Sequence, residues 1–201
     1  YTHGSGGAQT AITELNTHVN DRIATNANHL GALWMLDILP RYAYNGLDMN
    51  IWYELYDSTW FELIYSDSEL NPTRLSVRPT YYGMLMLSQY FGDTLVQSST
   101  SDASQQVVVW ATKDTKDPGK LKLILVNMTA NAAPVKIDIA GFTPQSGVYY
   151  EMTNPNPTDL SASSVVSGTT INGATVDTTA GRVQASVDAL PSRALAGISG
   201  N

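Results

Sequence analysis

In "AITELNTH", residues 11–18, a short apolar run ends in Glu14 and is followed at once by Leu15, Asn16 and Thr17. A buried strand of a parallel sheet that presents a carboxylate at its carboxyl end reads this way. So does a strand that ends in a solvated acid, or in an acid capping the next segment. A carboxylate in the first setting suits nucleophilic attack on an anomeric carbon, with a second carboxyl about 5–5.5 Å away to protonate the leaving oxygen. A second stretch, "NIWYELYDS", sets Trp52, Tyr53 and Tyr56 around Glu54, with Asp57 just beyond. Period-two alternation puts Asn50, Trp52 and Glu54 on one side of a strand and Ile51, Tyr53 and Leu55 on the other. Aromatic rings beside carboxylates make a platform for sugars, whose C–H faces stack on π surfaces while their hydroxyls bond to the acids. The same residues serve equally well as packing aromatics and a surface acid.

Other chemistries find no support. The chain has no cysteine, which excludes disulfides, thiolate metal sites and cysteine nucleophiles. His3, His18 and His29 lack metal-ligand spacing and read as surface or loop histidines, so no metal or cofactor is expected. "HGSGG" has neither the spacing of a phosphate loop nor that of a nucleophile elbow. Asn127-Met128-Thr129 is a formal glycosylation sequon. It falls in an expected strand, a poor place for an acceptor, and has meaning only in a eukaryotic secretory host.

Eleven Lys and Arg stand against eighteen Asp and Glu, a formal net charge of -7. No basic cluster is present, so a nucleic-acid partner is not expected. Charged residues are only 14% of the chain; polarity comes mainly from Ser, Thr, Asn and Gly, which suits neutral polar ligands. No apolar run reaches the roughly 18 residues that span a bilayer, so no membrane partner is expected. The amino terminus lacks a signal-peptide pattern, and "YTHGSGG" reads as the middle of something, a loop or a matured terminus.

The elements that must position Glu14 and the aromatic stretch follow from pattern. "TAITEL" reads as a buried parallel strand and "ATNANHLGALWMLDILPRYAYNGLD" as a helix capped by an Asn or Thr near Thr25, with Leu30, Trp34 and Ile38 on one face and Pro40 and Gly46 at its end. "MNIWYEL" is a second strand. After an irregular acidic segment, "RPTYYGMLMLSQYFGD" is a helix opened by Pro79 and stopped by Gly92. Strand–helix–strand–helix order predicts parallel strands. Beyond Asp93 the chain turns Thr/Ser/Val-rich, with alternating runs "QQVVVWAT", "KLKLILVNMT", "VKIDIAG", "GVYYEMT", "TTINGATV" and "RVQASVDALPSRALAGI" separated by turns such as "KDPGK". Their number and spacing predict an antiparallel β-sandwich. Two regions result, 1–93 and 94–201.

"AITELNT", a helix, "NIWYELYD", "RPTYYGMLMLSQYFGD" and the closing "DALPSRALAGI" together resemble the carboxyl-terminal part of a retaining glycoside hydrolase of clan A. The resemblance leaves the heparanase-like, xylosidase-like and arabinofuranosidase-like branches all open. The resemblance implies an α/β plus all-β fold: the last two β/α units of a (β/α)8 TIM barrel in 1–93, then an antiparallel β-sandwich in 94–201. It implies that Glu14 is the nucleophile, that Asn16 shapes the site, and that Trp52, Glu54, Tyr56 and Asp57 line the substrate cleft, with no cofactor. The family's acid/base follows an asparagine, and this chain has no Asn-Glu pair. An amino-terminal chain or segment completing the barrel is therefore expected to supply it, in a secreted or periplasmic enzyme acting on carbohydrate. The alternative is a non-catalytic carbohydrate-binding or adhesive protein.

Overall fold

The computed structural model describes residues 9–17, 28–57, 61–66, 75–132, 134–157, 168–176 and 190–198. The described residues open with one β–α–β unit. Strands β1 (Ala11–Leu15) and β2 (Met49–Trp52) pair in parallel, with helix α1 (His29–Tyr44) between them in sequence. The helix starts at Asn28, whose Oδ1 accepts from the Gly31 amide at 3.1 Å, satisfying one of the orphan donors of the first turn. An Asn or Thr near Thr25 is the expected cap; Asn28 is such an Asn, and Thr25 itself lies outside the described residues. Pro40 does not end α1. It removes one backbone hydrogen bond, yet the helix runs on to Tyr44, and the Arg41 Nη2 donates to both Asp37 oxygens at 3.0 Å across that turn. Gly46 then supplies the left-handed backbone (φ 83°) that turns the chain toward β2.

The chain leaves β2 into a small mixed sheet of β3 (Tyr56–Asp57), β4 (Ile64–Ser66) and β5 (Leu75–Val77), with β3 parallel and β5 antiparallel to β4. Helix α2 (Pro79–Tyr90) follows, Pro79 in its first turn. Next comes an antiparallel meander of β6 (Thr94–Val96), β7 (Val107–Asp114) and β8 (Asp117–Asn127). Its turn falls at Thr115–Lys116, so Pro118 and Gly119 of "KDPGK" lie inside β8, an edge strand that tolerates them. Four two-residue strands follow among the described residues: β9 (Val148–Tyr149) pairs with β12 (Arg193–Ala194), and β10 (Met152–Thr153) with β11 (Thr170–Ile171).

This architecture overturns the expected two barrel units followed by a β-sandwich. The described residues hold two helices, and their strands form five sheets of two or three strands each, mainly β in character. The second β/α unit fails because β2 feeds β3–β5, so α2 follows an antiparallel strand. The sandwich fails because alternation that finds no partner among the described residues does not make a strand. "VKIDIA" forms none, and Val135 and Ile137 are exposed. "GVYYEMT" splits into β9 and β10, which pair with different partners.

Two apolar clusters hold the elements together. Leu36 of α1 packs with Val108, Ile124 and Val126 of β7 and β8, alongside Met86 and Leu87 of α2. Val77, Tyr82 and Leu85 pack with Ile171 and Val176, and the Tyr82 hydroxyl accepts from the Val176 amide at 3.0 Å. Both clusters draw side chains from either side of residue 93. Trp110 Nε1 of β7 donates to Asp37 Oδ1 of α1 at 3.1 Å, and Arg41 lies over the same indole, 5.3 Å from its centre.

Gly92 stops α2 for a reason of space. A Cβ there would lie 2.2 Å from the Lys113 carbonyl oxygen of β7, and the Gly92 amide donates to Thr112 Oγ1 at 2.8 Å. Gly92→Ala must push the helix end off β7. The expected cost is about 1–3 kcal/mol, read as a lowered denaturation midpoint; an unchanged midpoint would show that the contact yields freely.

Candidate active site

The β1–β2 register pairs Ala11 with Met49, Ile12 with Asn50 and Leu15 with Trp52, so it slips between Ile12 and Leu15. Two residues, Thr13 and Glu14, therefore stand against one, Ile51. On one side of the pair lies α1: Trp52 rests against Trp34 of the helix, ring centres 6.0 Å apart. On that side the Asn50 carboxamide and Trp52 Nε1 are buried with no hydrogen-bond partner among the described residues. The other side is open. Thr13 and Glu14 are exposed there, as are Met49, Ile51 and Tyr53. The slip thus places the Glu14 carboxylate on the uncovered side, near the carboxyl end of a parallel strand.

Asn16 locks this end of the strands. Its Nδ2 donates to the carbonyls of Tyr53 and of Phe61, the latter at 3.1 Å, and its Oδ1 accepts from the Thr17 amide at 2.7 Å. The Tyr53 amide donates to the Leu15 carbonyl at 3.0 Å, extending the ladder by one residue. Tyr53 and Phe61 stand as a tilted pair, 5.9 Å between ring centres. Both amide hydrogens of Asn16 are engaged by protein carbonyls, which makes it a positioning residue.

The remaining expected residues divide. Trp52 packs on the helix side, away from Glu14. Glu54 is half-buried, its amide donating to the Phe61 carbonyl at 3.2 Å and its carbonyl accepting from Leu63 at 2.9 Å. Tyr56 is exposed, and Asp57 pairs through its backbone with Tyr65. The ring on the open side with Glu14 is Tyr53, which alternation had set opposite Trp52 without telling which face a helix would cover.

Beneath this cluster lies a pair that motif reading missed. Glu62 is fully buried and Arg78 nearly so; Arg78 Nε donates to Glu62 Oε1 at 2.9 Å, and Nη2 donates to the same oxygen. The Tyr65 ring sits 4.6 Å from the guanidinium carbon. Burial pushes the Arg78 pKa down, while the charge and hydrogen bond of Glu62 hold it up. Arg78 is also the N-cap residue of α2, where a cation opposes the helix dipole and the Glu62 carboxylate offsets it. Glu62 lies between Phe61 and Leu63, so the pair anchors the segment that Asn16 and Glu54 hold. The signal was available: one acid in the apolar run "FELI" and one base just before a helix-opening proline.

His29 corrects another expectation. It is not a surface residue but is buried at the start of α1, its Nδ1 3.3 Å from the Thr169 hydroxyl, which also accepts from Asn154 Nδ2 at 3.0 Å. His3 and His18 lie outside the described residues. Burial lowers the His29 pKa to about 4. Because the folded state takes the proton more weakly than the unfolded chain, stability falls as pH drops from about 6.5 toward 4. The loss is about 3 kcal/mol in all by linkage. Denaturant midpoints measured across this window should fall, and His29→Gln should flatten the fall; an equal slope in both proteins would assign it to other groups.

Among the described residues no group of three His, Asp or Glu side chains could hold a metal ion, and no helix is long and apolar enough to cross a membrane. No protein-family model matches the chain, and no curated protein matches it either.

Proposed function

We propose that this chain supplies the nucleophile of a retaining glycoside hydrolase that acts on an oligosaccharide or polysaccharide. The observation that carries the reading is the strand slip that exposes Glu14 on the open side of β1–β2, with the Tyr53 ring on that side to receive a pyranose face. Glu14 attacks the anomeric carbon, the bond to the leaving oxygen breaks, and that oxygen takes a proton from a second carboxyl. Water then attacks the glycosyl ester, returns the proton to that carboxyl as base, and releases the sugar with its configuration retained. The second carboxyl belongs to a polypeptide segment outside residues 1–201. The exposed row Met49, Ile51, Tyr53 and Leu55 supports this, since it leaves an apolar side for such a segment to cover. Action on carbohydrate polymers implies export, to a secreted or periplasmic setting.

The decisive experiment is an intact mass spectrum after incubation with a panel of fluorosugar inactivators, recording every chain present. One sugar on the peptide that holds Glu14 supports the reading. A sugar on another carboxylate, or hydrolysis with no label on this chain, overturns it. A second reading, carbohydrate binding without turnover, is favoured by the exposed Tyr53 and Tyr56 rings. Sugar affinity with no hydrolysis would establish it.

A further inference from the structure

We infer that Asn127 is an acceptor for N-linked glycan when the chain passes through a glycosylating secretory lumen. This inference is independent of the role of Glu14. Asn127-Met128-Thr129 is the sole usable sequon in the sequence: Asn71-Pro72-Thr73 and Asn156-Pro157-Thr158 are blocked by proline.

Pattern alone placed Asn127 within a strand. The structure places it at the last position of β8, half-buried and paired with Val107, one residue before the chain leaves the ladder. Met128, Ala130, Asn131 and Ala132 beyond it are exposed. Across the ladder, Met128 donates to the Gln106 carbonyl at 2.7 Å. The facing loop presents exposed Ala103, Ser104, Gln105 and Gln106, and its one charge, the Asp102 carboxylate, already accepts from Ser104, Gln106 and Val107.

The side chain is tied into a local turn by the sequon's own threonine. Asn127 Oδ1 accepts from the Thr129 amide at 2.9 Å and from the Thr129 hydroxyl at 2.7 Å, while its Nδ2 donates to the Asn131 carbonyl at 2.8 Å. Two donors on Oδ1 draw electron density onto oxygen and acidify the N–H of Nδ2. These bonds involve residues 127–131 alone, so the nascent segment can form them before the sheet assembles. In the transfer, a carboxylate base of the lumenal oligosaccharide transferase takes one proton from Nδ2, and the nitrogen bonds to the anomeric carbon of a lipid-diphosphate-linked oligosaccharide. The bond from that carbon to the phosphate oxygen breaks, and the lipid diphosphate leaves with the electron pair. One N–H remains on the nitrogen to hold the Asn131 carbonyl.

The test is secretion of the full chain from a eukaryotic host with a carboxyl-terminal tag that carries its own sequon. Only chains with a glycosylated tag are scored, which certifies passage through the lumen. The expected result is a second glycan, mapped to the Asn127 peptide on most chains and converted to aspartate by a glycan-releasing amidase. Thr129→Ser should keep it, and Thr129→Val and Asn127→Gln should abolish it. Glycosylated tags with Asn127 bare on most chains would overturn the inference, as would a second glycan that persists in Asn127→Gln.

Discussion

Arg78→Met is expected to cost about 3–5 kcal/mol of stability, because it leaves the Glu62 carboxylate buried with its guanidinium partner gone. The pair itself need not be strongly stabilising: the desolvation of two charges roughly cancels their attraction. Glu62→Leu with Arg78→Met removes both charges and should recover most of the loss. Chemical denaturation of the two variants measures both numbers. A single variant that loses less than about 1 kcal/mol would place the Glu62 charge within reach of water, contrary to its full burial. The single variant should also loosen the segment at Phe61 and Leu63, whose backbone groups bond to Asn16 and Glu54.

Glu14→Gln is expected to leave stability and sugar affinity nearly unchanged and to lower turnover by on the order of 10⁴-fold or more, the scale seen when a nucleophile is removed. Glutamine keeps the shape but cannot form the glycosyl ester. Because Glu14 is exposed, the substitution leaves no buried group unpaired, which separates chemical loss from structural loss. Glu14→Ala adds a chemical signature: azide entering the vacated space should restore turnover and give a glycosyl azide of inverted configuration. Activity within tenfold of the parent in Glu14→Gln would mean that the carboxylate is a solvated strand-end acid.

The parts of the fold that pattern foretold are those where local chemistry decides. Asn28 and Pro79 open helices because their backbone geometry and side chains suit a first turn. The apolar run at 11–15 and the one at 49–52 do pair in parallel. The parts that pattern missed depend on distant partners. Strands β3 to β5 are two or three residues long, too short to show a period. Val135 and Ile137 alternate as a strand would, yet no described strand lies beside them. At the site, alternation separated Trp52 from Tyr53 but could not tell which side a helix would cover. The slip between Ile12 and Leu15 then broke the phase at Glu14, the one place where phase mattered most.

The packing of Leu36 and Met86 against Val108, Ile124 and Val126 limits what recombination can do with this chain. The change of composition near Asp93 marks an inviting crossover point for a chimera. Yet a crossover there would pair helices α1 and α2 with a foreign sheet, and would also remove the Trp110 indole that Asp37 and Arg41 hold. A viable exchange would have to carry the helices and the β6–β8 meander together, so the heritable module is the pair and neither half by itself.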